Sequence, residues 1–152
     1  MEPQTRGSRM QDRPEPAASE PQPVTFEMHV TVTDEHVDAP GHHVNNVVYL
    51  QWVQQVAIAH WSSAAPQEMQ EALVWFVTRH EIDYLKEVFV GERLVVRTHV
   101  GPAKGARFDR FVEIVREGGE PVCRARSTWA AIDVKSGRPT RITPEMRAPF
   151  LR

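Results

Sequence analysis

The sequence predicts an α+β domain in which a five-stranded antiparallel sheet wraps around one long central hydrophobic helix. Three observations point there. One segment, Val47 to Trp61 (VVYLQWVQQVAIAHW), is apolar nearly all round, as a helix buried on most sides must be. Five other segments have strand character, the first with clear period-two alternation. The order is one strand, the helix, then four strands joined by glycine-bearing turns, so a single helix can cover the apolar face of an antiparallel sheet. With 152 residues, 41% hydrophobic and 25% charged, the chain has the composition of one soluble domain plus a tail.

Residues 1–23 hold five of the 12 prolines and almost nothing apolar. Such a segment cannot offset the entropy lost on ordering and is expected to be a disordered Pro-rich tail. At Val24 the pattern changes. Val24, Phe26, Met28, Val30 and Val32 alternate with Thr25, Glu27, His29, Thr31 and Thr33, which is a half-buried strand. A polar stretch, Asp34 to Asn46, turns at Pro40-Gly41. The helix follows, with Asn45 or Asn46 as its N-cap. Ser62 to Glu71 reads as a loop or weak continuation interrupted by Pro66. Further strands are expected at Leu73 to Leu85, Arg93 to Val100, Arg107 to Arg116 and Val122 to Val134, with turns around Gly91, Gly101 to Gly105 and Gly118-Gly119. Ser136-Gly137-Arg138-Pro139 ends the sheet. The domain is placed at residues 24–145, with 146–152 as a C-terminal tail.

Several classes of function are disfavoured at once. A formal charge of −2 provides no general attraction to nucleic acid or to an anionic membrane, and neither is expected as a partner. No apolar run reaches the roughly 20 residues that cross a bilayer. The first 24 residues lack a signal-peptide core, so a cytoplasmic location is expected. The single cysteine, Cys123, excludes an internal disulfide framework and a cysteine-built zinc site.

The informative segment is Thr33 to Asn46, which packs two Asp, three His and two Asn into fourteen positions. It leads straight into the most hydrophobic segment of the chain. A helix N-terminus presents unpaired N–H groups and partial positive charge. Those groups can stabilise an oxyanion, and a nearby carboxylate can act as base or nucleophile. Attack on an activated carbonyl suits that pairing.

These residues resemble a known family. Asp38-x-x-Gly41, followed by His-Val44-Asn45-Asn46-x-x-Tyr49, is similar to the Asp-x-x-Gly-His-Val-Asn-Asn-x-x-Tyr signature of hotdog-fold acyl-CoA thioesterases of the 4-hydroxybenzoyl-CoA thioesterase-like branch. The likeness continues through Trp52-Val53 and Ala59-His60-Trp61, through Arg79 to Leu85 with Gly91-Glu92, and through Thr128-Trp129 with Ile132-Asp133 and Gly137-Arg138-Pro139. It implies an acyl-CoA substrate, coenzyme A entering as part of that substrate rather than as a cofactor, no metal, and a homodimer or homotetramer. Two departures stand out. The family carries one His between the Gly and the Val, whereas this chain has His42 and His43, so the loop must bulge. Many relatives carry an acidic residue on the helix near Gln54 or Gln55, where this chain has amides, which places the catalytic burden on Asp38. An alternative is a non-catalytic hotdog module for acyl-CoA binding or assembly.

On this reading the catalytic residues are Asp38, His43, Asn45 and Asn46. Each also has a plainer role: Asp38 as a turn former, the asparagines as helix caps. Gly41, His42, Val47, Tyr49 and Trp52 are expected beside the substrate, Tyr49 and Trp52 chiefly as wall and core. The basic residues Lys104, Arg107, Arg110, Arg124 and Arg126 form a solvated sheet face, or else some hold the phosphates of coenzyme A, with Lys104 and Arg107 the candidates. His60 is expected as a satisfied core or interface histidine.

Overall fold

The structure, a computed structural model, describes residues 19–152. Most of the expected N-terminal tail therefore lies outside the described residues. Five strands, β1 (Phe26–Thr31), β2 (Leu73–Tyr84), β3 (Arg93–Lys104), β4 (Arg107–Arg116) and β5 (Pro121–Asp133), form one sheet. Its order is β1-β3-β4-β5-β2, antiparallel throughout. The helix α1 (Asn46–Ala64) packs across it, and a short α2 (Gln67–Ala72) leads into β2. This is the hotdog arrangement, with a 19-residue helix.

Burial along α1 follows helical spacing. Tyr49, Trp52, Val53, Val56, Ala57 and His60 are buried, a stripe of about one-third of the circumference. The opposite side keeps Val47 and Ile58 exposed. The sheet thus covers one face rather than most of the helix. Beneath it, Leu94, Val96, Val112, Ile114, Cys123 and Ala125 close the core.

Strand β2 shows how the sheet fits the helix. Leu73, Trp75 and Val77 turn inward while Val74 and Phe76 face out. The register with β5 then slips between Val77 and Arg79, and the inward residues become His80 and Ile82. Thr78 is the extra residue of a bulge, and one extra residue reverses the two-residue alternation. His80 then meets Ser127 Oγ at 2.6 Å.

Three expectations about the chain ends and connections change. The segment after Trp61 continues α1 to Ala64 and forms α2 beyond Pro66 rather than a plain loop, because Pro is accepted at a helix start. Strand β3 runs past Gly101 to Lys104, with its register shift between Val100 and Ala103, and the turn falls at Gly105 (φ 61°). The last residues do not trail away: Phe150 is buried against Val100 and Trp61, and Gln22 and Arg152 exchange backbone hydrogen bonds at 2.6 and 2.8 Å. A seven-residue segment holding three large apolar side chains is too short for periodicity to reveal its burial.

Candidate active site

The loop before α1 is a hairpin clamped at its base. Val37 and Val44 pair in an antiparallel bridge, and His43 bridges to Phe89. The Asn45 N–H donates to the His36 carbonyl at 3.0 Å, and the Val44 N–H to Val88 at 2.8 Å. His36 secures the upstream end: its Nδ1 accepts from the Thr33 N–H at 2.9 Å, and its ring meets Trp52 edge-on at 5.2 Å.

At the tip, the His42 N–H donates to the Asp38 carbonyl at 2.8 Å, and His42 takes the left-handed conformation (φ 56°). That is the bulge the extra histidine requires. A non-glycine residue there is uncommon, and a short exposed turn is where it is tolerated. Gly41 meets a different constraint. A Cβ on it would lie 2.9 Å from the His43 ring, so its bare backbone lets that ring pack down. His43 is half-buried, with Nδ1 3.2 Å from the Val44 carbonyl.

Asn45 joins the loop to the helix. Its Oδ1 accepts from the Val47 N–H at 2.8 Å, making it the N-cap of α1. Its Nδ2 donates to Asp38 Oδ2 at 2.5 Å. One planar amide therefore holds an exposed carboxylate beside the positive end of a 19-residue helix. Asn46 is the first helical residue, and its N–H has no intrahelical acceptor. Its carbonyl accepts from the Tyr84 hydroxyl at 3.2 Å. A carbonyl group brought to this corner would meet the Asn46 N–H on one side and a carboxylate on the other, the Val47 and Val48 N–H groups being bonded to Asn45.

The other predicted residues divide. Val47 is exposed on the first turn, next to Asp38 and Asn45. Tyr49 and Trp52 are each 3% exposed. They stack edge-on at 5.6 Å, and burial pushes the Tyr49 hydroxyl up to about 12. Both are core rather than substrate-contacting. Lys104 and Arg107 sit at the β3–β4 turn, the far end of a strand whose start, Arg93, adjoins the loop. At about 3.3 Å per residue that is on the order of 30 Å away, so one chain does not bring them to Asp38. Arg124 and Arg126 do lie on the outer sheet face, paired with Glu113 and Asp109. Among the described residues, no three His, Cys, Asp or Glu side chains converge as metal ligands would.

Arg110 departs from its expected place. It is 3% exposed, turned inward from β4 toward the C-terminal half of α1. One Nη donates to Thr98 Oγ1 at 3.1 Å and lies 3.0 Å from His60 Nδ1. Burial lowers the guanidinium to about 10, so it stays charged at neutral pH. Burial and the Arg110 charge push His60 down to about 4, so that imidazole is neutral. It sits between the rings of Phe26 and Phe150, each 5.0 Å away. Arg110 opens onto a cleft of about 420 Å³ between α1, β2, β4, β5 and the C-terminal segment, within the size range of small-molecule sites. The cleft begins at Gln54, about 12 Å along the helix from Asn46 at 1.5 Å per residue. This cleft and the candidate carboxylate are thus separate places in one chain. The signal for Arg110 was present: it falls at an inward position of β4, in phase with Val112 and Ile114.

A sequence model of the thioesterase-like superfamily matches residues 30–150. No curated protein sequence matches. Among solved structures, a Staphylococcus aureus protein in complex with CoA superposes with a TM-score of 0.73 at 18% identity, covering 84% of this chain and 82% of its own. A 1,4-dihydroxy-2-naphthoyl-CoA thioesterase from Synechocystis gives 0.71 at 19% identity, covering 84% and 96%. A probable thioesterase from Escherichia coli gives 0.72 at 21%, covering 83% and 98%. At such identities these likenesses establish the shared fold.

Proposed function

Because the chain belongs to the thioesterase-like superfamily, whose general chemistry is thioester hydrolysis, we propose that it hydrolyses an acyl-CoA to the free acid and coenzyme A, with Asp38 as base or nucleophile. The observation that carries this reading is the Asn45 amide, bonded at once to the Asp38 carboxylate and to the first turn of α1.

The chemistry needs little more. A thiol leaving group with a pKa near ~8.5 departs without a strong acid. In one route Asp38 takes a proton from water as its oxygen attacks the carbonyl carbon. The Asn46 N–H and the positive end of α1 steady the oxyanion, and the C–S bond breaks to release the thiolate, which then takes up a proton. In the other, an Asp38 oxygen attacks directly, the thiolate leaves, and water cleaves the resulting anhydride. His43 and Asn46 shape the approach, while Gly41, His42 and Val47 line the entrance.

The same reading has the chain act as a homodimer or homotetramer. Supporting it, β2 is an edge strand of 12 residues carrying exposed Val74 and Phe76, and α1 adds exposed Ile58; such an edge favours pairing with another copy.

A panel of short, long and aromatic acyl-CoAs, read with a thiol-trapping dye, tests the activity. Thiol release that disappears in Asp38→Ala, with folding intact, supports the proposal. Acyl-CoA binding without release in either protein would favour a non-catalytic module, and release unchanged in the variant would remove Asp38 from the mechanism.

A further inference from the structure

The cleft at the C-terminal half of α1 has an imbalance that thioester hydrolysis at Asp38 does not use. Its walls are apolar and aromatic: Trp61, Trp75, Phe108, Trp129 and Phe150 all line it. Its polar side chains are almost all donors. The Trp75 and Trp129 indole N–H groups lie out of reach of water behind the cleft wall and have no acceptor among the described residues. The Arg110 guanidinium, almost wholly buried, has His60 and Thr98 as its polar contacts, and both contacts use the same Nη. No described carboxylate pairs with it. A second cation, Arg147, also reaches the cleft, and no Asp or Glu does.

Buried donors without acceptors are costly, and a buried cation without an anion more so. A ligand that satisfies the Arg110 guanidinium must bring acceptor oxygens and negative charge on an apolar body. We propose that this cleft binds an apolar carboxylate, its carboxyl group accepting from Arg110 and its hydrocarbon lying among the aromatic rings. Arg is suited to the task, because its fork offers a carboxylate two parallel N–H donors. The exposed amide of Gln54 at the mouth of the cleft fits the same selectivity, since an acid there would repel the ligand. Two sources share this chemistry: a free carboxylic acid, or a carboxylate at the far end of an acyl group. Binding itself does not depend on hydrolysis at Asp38.

The test uses the intact protein and two pairs of probes, octanoate with octanol and 4-phenylbutyrate with 4-phenylbutanol. Calorimetry is expected to show each acid binding about tenfold or more tightly than its alcohol, the difference expected of a charge-assisted hydrogen bond. In ¹H–¹⁵N spectra the chain's four tryptophans give four indole signals. Those of Trp75 and Trp129, whose rings line the cleft, are expected to shift on binding while that of Trp52, in the other core cluster, stays. Arg110→Met should abolish the preference for acid over alcohol. Should that variant not fold, Gln54→Glu on the helix surface should weaken the acids about tenfold and leave the alcohols unchanged. Equal binding of acids and alcohols, or indole signals that stay in place at saturation, would overturn the proposal, as would an acceptor supplied by a second copy of the chain. A separate turnover arm compares alkanoyl-CoA with ω-carboxyacyl-CoA of equal length. Loss of kcat/KM for the carboxylated substrate alone in Gln54→Glu assigns the carboxylate to the acyl group; an unchanged ratio, with acid binding lost, assigns it to a free acid.

Discussion

The two ends of α1 face opposite problems. At the N-terminal end, the polar groups around Asp38 are tied to one another. Asp38 is bonded to Asn45, Asn45 to Val47 and His36, and His42 to Asp38, all in contact with solvent. At the C-terminal end, donors are buried among rings without acceptors. The first arrangement holds a charge ready in water. The second leaves an electrostatic demand to be met by something arriving. One helix thus carries a prepared reactant at one end and a cleft lacking an anion at the other, and the two ends can be perturbed separately.

The largest separation is expected from Asp38→Asn. It keeps the shape and an acceptor oxygen but removes the charge, so thiol release should fall about 10²- to 10⁴-fold. Stability should change by less than about 0.5 kcal/mol, as at other exposed positions. Steady-state kinetics with a urea melt of the same sample reads both. Acid should act at the other end. His60, neutral when folded and held at about 4 against an ordinary 6.5, binds a proton more readily unfolded than folded. Its contribution is therefore present above pH 6.5 and is lost as the pH falls toward 4. Stability should drop by about 3 kcal/mol across that window. Urea melts at pH 7, 5.5 and 4, compared with His60→Gln, isolate this part of the acid response.

Asn45→Ala acts on the join itself. Losing the cap costs about 1 kcal/mol, or a few degrees in Tm for a chain of this size. Freeing Asp38 should also lower kcat about tenfold with little change in KM. The smallest effect is expected from Lys104→Ala combined with Arg107→Ala, where the far turn of the hairpin should leave KM for acyl-CoA within about twofold at physiological salt. A tenfold rise would mean that a neighbouring copy carries these side chains to the loop, and would join the two ends across subunits.

The legible and illegible parts of the molecule divide along the same line. Strand alternation, the helix and the asparagine cap follow from short-range chemistry, and each stands near its expected place. Asp38, Asn45 and Asn46 form a contiguous motif, so their meeting at the helix start could be anticipated. The cleft is built from residues as far apart as Gln54 and Phe150, and no spacing in the chain announces such a meeting. Arg110 reads as a surface cation because its charge outweighs its inward phase in β4. Phe150 reads as part of a tail because one aromatic residue has no periodicity. The exposed side of α1 is the converse case: sequence shows which residues are apolar, but not how far one sheet can reach around them.

The single additional residue at Thr78 has a consequence for the ancestry of this domain. A strand of the same length without the bulge would carry its oily and charged positions exchanged over Arg79 to Tyr84. Substitutions alone could straighten it only by rewriting that half of the strand, with Ile82 exposed or Arg79 buried on the way, whereas deletion of Thr78 leaves every later residue opposite its present partner in β5. Loss of the bulge is therefore expected to go by deletion of one residue and not by gradual exchange of side chains.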